Sequence, residues 1–314
     1  MSSENKKEPL LVITGPTATG KSEVGVLVAE KLGGEIISAD SMLIYRGMDI
    51  GTAKPTSADR RGIPHHMIDI VEPDQDYNVA LYRKQAMAVI KKVLERGNLP
   101  IVVGGTGLYI EALIRNYSFG GAGTDKTLRK KLQKEAAESP FLLHQRLAKI
   151  DPATASQLHP ANTRRVIRAL EVYYLTGKPI SNFKRLDEPD PPFNLLMFGL
   201  TMEREALYRR IEKRVDRMIA MGLIEEVQNL LQRGFSPRLN SMRGLGYKEM
   251  ISYLNGTLSL EEAVEVLKRN TRRFAKRQMT WFRRYKEIRW LKIENFADCE
   301  AIAQEIARCT EGVL

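Results

Sequence analysis

Short apolar runs alternate with longer amphipathic ones through the first third of the chain. Leu10 to Ile13, Glu35 to Ser38, His66 to Val71 and Leu99 to Val103 are brief runs bounded by turn residues, as buried strands are. Between them Val24, Leu27, Val28 and Leu32, and later Ala80 to Arg96, keep helical spacing. Strand and helix in alternation predict a parallel sheet with helices on its faces. Ligands of such sheets gather beyond the carboxyl ends of the strands. This chain sets Lys21 and Ser22, Asp40 and Ser41, and Thr106 at those ends.

The rhythm stops at SFGGAGT, residues 118–124. From Asp125 to about Arg185 the pattern is charged and helical, and it closes at the proline-rich DEPDPPF, residues 187–193. NLLMFGLTM, residues 194–202, reads as a strand again. Helical patterns dominate from Arg204 to about Tyr285, and EIRWLKI, residues 287–293, predicts a last strand. The expectation is an α/β core in two parts, 1–117 and 193–314, with a helical insertion at 118–192 held by two links and able to move like a lid. No internal repeat or low-complexity tract interrupts it.

Composition narrows the classes. The chain has 314 residues, 43% of them apolar, enough for a substantial core. No apolar run approaches the length of a membrane span, and the first residues, MSSENKKE, are polar, so a cytosolic protein without membrane association is expected. Cys299 and Cys309 lack the partners of a zinc site or disulfide framework. The net charge of +11 is concentrated: residues 203–292 hold 21 Lys and Arg against 11 Asp and Glu. Such a patch favours a polyanionic partner. Within it Arg269, Arg273 and Arg277 repeat every four residues, a basic helical face, while Phe274 and Trp281 repeat at seven, which suits core packing better than base stacking.

GPTATGKS, residues 15–22, fits the phosphate-binding pattern G-x-x-x-x-G-K-[ST] and has the required strand before it and helix after it. ATP-hydrolysing relatives of this loop carry a second apolar strand ending in Asp that helps to hold magnesium. Here LPIVVGGTGLY ends in glycines and Thr106, and EIISAD delivers Asp40 instead. Asp40 could hold magnesium, orient water or act as a base. Spacing does not choose among these.

Six blocks, GPTATGKS, ISADSMLIYRGMDIGTAKP (37–55), IPHHMIDI (63–70), IVVGGTGLYI (101–110), RALEVYYLTGKPIS (168–181) and KRQMTWFRR (276–284), together closely resemble the bacterial tRNA dimethylallyltransferases. The resemblance implies a P-loop NTPase-like parallel core with an inserted helical domain. It also implies transfer of a dimethylallyl group from dimethylallyl diphosphate to N6 of adenosine 37 in the tRNA anticodon stem-loop. The catalytic set it implies is Asp40, Thr106, Lys21 and Arg214, with Asp40 as general base and Thr106 near the bridging oxygen of the diphosphate, though a plain turn residue is a rival reading of Thr106. Gly15, Thr17, Ala18, Thr19, Gly20, Lys21 and Ser22 would cradle the diphosphate, with Arg210 and Arg214 as outer clamps and Ser22 on Mg²⁺. The tRNA would meet Asp40, Ser41, Met42, Leu43 and Thr106 at the base entrance, then Arg129, Arg164, Arg165 and Arg168 in the insertion. Arg243, Gly244 and Tyr247, and Lys276, Arg277, Gln278, Trp281 and Arg283, complete the implied RNA contacts. The protein is expected to be a monomer. His65 and His66 match the family text and are given a structural role at the sheet edge. The eukaryotic relatives add a zinc finger for which this chain lacks the Cys and His. Rival readings are a small-molecule or nucleotide kinase, an adenylate prenyltransferase acting on free nucleotide, and a non-catalytic RNA-binding NTPase.

Overall fold

β1 (Pro9–Thr14) shows how the first apolar run becomes a central strand. Leu10 to Thr14 are all buried, and their side chains divide by parity: Leu11 and Ile13 enter one apolar cluster, Leu10 and Val12 another. A strand covered on both faces reads as a continuous apolar run, the mark of a parallel sheet. The structure is a computed structural model that describes residues 7–115, 123–183, 192–294 and 298–314. After β1 come α1 (Lys21–Leu32), β2 (Gly34–Ser38), α2 (Ser57–Arg60), β3 (His65–His66), α3 (Val79–Glu95), β4 (Leu99–Gly104) and α4 (Gly107–Ile114). Next are α5 (Lys126–Glu138), α6 (Pro140–Ile150), α7 (Pro152–Ala155) and α8 (Thr163–Thr176). The chain then runs through β5 (Asn194–Thr201), α9 (Arg204–Ala220), α10 (Leu223–Gln232), α11 (Tyr247–Leu254), α12 (Leu260–Phe282), β6 (Ile288–Lys292) and α13 (Asp298–Glu311).

Two compact units result, one of residues 1–114 with 192–314 and the other of residues 115–191. In the first, six parallel strands pair in the order β3-β2-β4-β1-β5-β6. One face is covered by α1 and α13 through Val24, Val28, Ile302 and Ile306, the other by α3, α4 and the end of α12 through Tyr82, Ile90, Ile110 and Phe282. A third apolar cluster joins α9 to α12 with Ile44, Tyr45 and Met48 of the segment after β2. That segment is fastened by Glu226 on α10, whose carboxylate accepts the N–H groups of Asp49 (2.9 Å), Ile50 (2.7 Å) and Gly51 (3.1 Å) and the hydroxyl of Tyr247 (2.6 Å). A carboxylate with four donors holds a loop without regular structure firmly in place.

The strand expected over His66 to Val71 is cut to two residues. Met67 and Asp69 take left-handed backbone angles, φ 62° and 54°, which no strand continues through. His65 and His66 do lie at the sheet edge, where His66 meets Glu35 (2.6 Å) beside Arg96 and Asn98. The other unit packs α5, α6, α7 and α8 around Leu132, Leu143, Leu147, Val166 and Leu170. The expected links fall mainly on residues 118–122 and 187–191, outside the described residues. Among the described residues no helix is long and apolar enough to cross a membrane.

Candidate active site

The phosphate loop is built by close approach. Gly15 has φ 138°, and a Cβ there would stand 2.4 Å from the carbonyl oxygen of Leu200, so the loop can leave β1 against β5 only without a side chain. Ala18 is left-handed at φ 66°, and Gly20 at φ 88° is the N-cap of α1. Thr19 spends its hydroxyl inside the loop on the Pro16 carbonyl (2.9 Å). Lys21 Nζ donates to the same carbonyl at 2.6 Å, lying back across the turn. The start of α1 adds its positive dipole end to this arc.

Around the loop, charge is gathered at low dielectric. Burial, with Arg214 adding to it and Asp40 opposing it, pulls the Lys21 ammonium from 10.5 down to about 7. Burial also lowers Arg214, again against Asp40, and Arg214 reaches the Thr52 carbonyl at 3.4 Å. Lys21, Arg214 and Asp40 therefore form one electrostatic group. Arg210, one turn before Arg214 on α9, has Nη2 3.8 Å from where a Gly20 Cβ would be, and burial lowers it against Cys299 and Asp298. Both arginines thus flank the loop, as an outer clamp would.

β2 and β4 are neighbours, and their carboxyl ends bring Asp40 and Thr106 together. Thr106 N–H donates to the Ala39 carbonyl (3.0 Å), and Ser41 N–H donates to Thr106 Oγ1 (3.0 Å). The Met42 N–H donates to Asp40 Oδ1 at 2.8 Å, which orients the carboxylate. Ser41, Met42 and Leu43 are all half-buried here. Ser22 is exposed on the first turn of α1, and the described residues hold no cluster of three carboxylate, His or Cys ligands. One hydroxyl beside an anion cradle fits Mg²⁺, which keeps few protein ligands and completes its shell with phosphate oxygens and water.

The expected RNA contacts divide. Arg243, Lys276, Arg277 and Arg283 are exposed, as are Arg269 and Arg273 on the same helix. Gly244 lets Met42 pack closely, since a Cβ would lie 2.4 Å from Met42 Cε. Tyr247 does not face solvent: it is wholly buried with its hydroxyl on Glu226, so the glycine-flanked aromatic is a core residue and not an RNA contact. Gln278 is buried too, accepting from Thr17 N–H (2.8 Å) and donating to the Gly105 carbonyl (3.0 Å). Trp281 packs where a Gly107 Cβ would be, 2.1 Å from Cδ1, with the Arg284 guanidinium over its ring. The seven-residue spacing with Phe274 pointed to such packing. In the unit of residues 115–191, Arg129 and Arg168 converge on the buried carboxylate of Glu171 at 2.6 and 2.7 Å, so they hold that unit together. Arg164 and Arg165 are exposed at the start of α8. Sequence reasoning missed the roles of Glu226 and Glu171. Their signal is a Glu at a helical position whose spacing faces the core, alone at Glu171 and beside Glu225 at Glu226.

Comparisons with known proteins give the family and the fold. The IPP transferase family model matches residues 43–285, and the isopentenyl transferase model matches residues 9–75. A tRNA dimethylallyltransferase of Desulforudis audaxviator is 55% identical over 305 residues, covering 96% of this chain and 98% of its own. The crystal structure of the tRNA isopentenylpyrophosphate transferase of Bacillus halodurans superposes with a TM-score of 0.73 at 45% identity, covering 98% of both chains. A eukaryotic dimethylallyltransferase caught acting on tRNA gives a TM-score of 0.84 at 32% identity, over 98% of this chain and 79% of that one. The parallel sheet and its glycine loop are accordingly a P-loop NTPase-like core, and the chain belongs to the IPP transferase family, that of the tRNA dimethylallyltransferases.

Proposed function

We propose that the protein transfers the dimethylallyl group of dimethylallyl diphosphate to N6 of adenosine 37 in the anticodon stem-loop of tRNA, releasing diphosphate. The observation that carries this reading is the grouping of Lys21, Arg214 and Asp40, with Thr106 held beside Asp40 through Ser41. The carboxylate is suited to accept a proton from an incoming amine. The kinase reading would want a second apolar strand ending in Asp to hold magnesium, and here LPIVVGG ends in glycines and Thr106.

In the reaction N6 forms a bond to C1 of the dimethylallyl group while the C1–O bond breaks and its electron pair leaves with the diphosphate. Lys21, Arg214, Arg210 and the start of α1 stabilise the charge that builds on the departing oxygen. Thr106 Oγ1 accepts from Ser41 N–H at 3.0 Å and donates over a long 3.4 Å to Ser41 Oγ; turning that hydrogen from Ser41 to the departing oxygen is the step by which Thr106 assists the leaving group. Asp40, turned by Met42 N–H at one oxygen, uses the other to orient the adenine amine and take its proton. Ser22 and the diphosphate would hold Mg²⁺, whose charge would offset that of the leaving group. The exposed arginines Arg269, Arg273 and Arg277 of α12, with Arg164 and Arg165 of α8, supply phosphate contacts. We read the protein as a monomer acting in the cytoplasm, where tRNA is met.

The test supplies unmodified tRNA with dimethylallyl diphosphate or with ATP. Prenylated adenosine formed without ATP is the expected product. Phosphoryl transfer from ATP, or prenylation of free AMP in preference to tRNA, would sink the reading.

A further inference from the structure

Gln278 sits buried where two loops meet. Its side chain is buried, with Oε1 on the Thr17 N–H of the phosphate loop at 2.8 Å and Nε2 on the Gly105 carbonyl at 3.0 Å. The two loops are far apart in sequence and leave neighbouring strands, β1 and β4. One holds the anion cradle. The other carries Thr106, which is hydrogen-bonded to Ser41 and so tied to the Asp40 segment. A planar amide has fixed size, so it sets the separation of the two backbones it bridges. The surroundings enforce this. A Cβ on Gly105 would lie 2.2 Å from Nε2, and one on Gly107 would lie 2.1 Å from Trp281 Cδ1, so α12 presses both glycines with side chains three residues apart.

We propose that Gln278 is a positioning residue for prenyl transfer: by spanning Thr17 and Gly105 it fixes the distance between the cradled diphosphate and the Thr106–Ser41–Asp40 segment that presents the acceptor base. Both of its side-chain hydrogen bonds are spent on protein backbone. The inference rests on the prenyl-transfer reading, yet it makes a claim about backbone geometry that holds without any substrate. Since a displacement of about 1 Å between reacting groups can cost about 100-fold in rate, losing the bridge acts on turnover and not on binding.

The test uses the full chain with two variants. Gln278→Met keeps the bulk and removes both hydrogen bonds. Gln278→Glu keeps the acceptor for Thr17 and sets a carboxylate oxygen against the Gly105 carbonyl. With both substrates saturating, each variant is expected to lower the single-turnover rate about 10- to 100-fold, while the Kd values for anticodon stem-loop RNA and for a non-reactive dimethylallyl diphosphate analogue stay near those of the wild type. The ratio of Gln278→Glu to wild-type rate should rise as pH falls, because a protonated Glu regains a donor for Gly105. A bare packing role would not produce that profile. Hydrogen exchange of the Thr17 amide, read without substrates, should be slow in the wild type and faster in Gln278→Met. This readout stands even if the reaction proves to be another one. Overturning results are a weakened RNA Kd with an unchanged saturated rate, unchanged rates in both variants, or fast Thr17 exchange in the wild type. Should Gln278→Met fail to fold, the Gln278→Glu pH ratio decides.

Discussion

Lys21 gives up hydration to lie across its own loop, and the consequence is measurable. With its ammonium brought down to about 7, the free site is only about half charged at neutral pH. An anionic ligand favours the charged form, so diphosphate binding should draw in a proton. Above pH 7 the complex holds more protons than the free protein, and affinity should fall as pH rises; below pH 7 this group adds no slope. Calorimetry in buffers of different ionisation enthalpy checks the uptake, and Lys21→Arg, charged throughout, should remove the pH dependence. Asp40 is expected to act on rate: Asp40→Asn keeps the shape and should lower turnover by about 10²- to 10⁴-fold, with RNA affinity nearly unchanged in a binding titration. A parallel loss of RNA affinity would mean that the carboxylate mainly grips the substrate. Both residues were legible in the sequence because glycine spacing and strand ends mark them. Tyr247 and Gln278 were not, since a polar or aromatic residue in a basic stretch looks the same whether it faces water or, as here, is buried on the Glu226 carboxylate or between two loops.

At the scale of elements, α12 does two jobs with two faces. Its exposed side carries Arg269, Arg273 and Arg277, and its buried side sends Gln278 and Trp281 onto the turn between β4 and α4. The turn pays with its glycines. Gly107→Ala should therefore destabilise the protein by about 1–3 kcal/mol in urea unfolding and lower activity along with stability, because Trp281 must shift and Thr106 is the adjacent residue. Wild-type stability in that variant would show that the ring yields freely. The helical and strand content of this region was readable from periodicity, from the last strand at Ile288–Lys292 to the long helix before it. The failure at β3 was local. Apolar residues after His66 looked like a strand, but left-handed angles at Met67 and Asp69 turn the chain away, and hydrophobicity carries no record of backbone sign.

For the whole molecule, the charge excess of residues 203–292 should govern RNA affinity through salt. The logarithm of affinity is expected to fall linearly with the logarithm of salt concentration, and Arg273→Gln or Arg277→Gln should each weaken binding for all tRNA sequences and reduce the slope by roughly one. A slope unchanged in both would place the RNA elsewhere. The sheet order has a further consequence for how the chain reaches this state during synthesis. β1, at the heart of the sheet, pairs residue by residue with β5, Pro9 with Asn194 through Thr14 with Gly199, and everything between must leave the ribosome first. The earliest apolar segment made is thus among the last to find both neighbours, while residues 115–191, with their own cluster, can collapse during the wait. Pulsed exchange on a nascent-length series should find amides of the β1–β5 pairing protected only after Thr201 has emerged, leaving a sticky, half-matched strand that a chaperone has reason to shield.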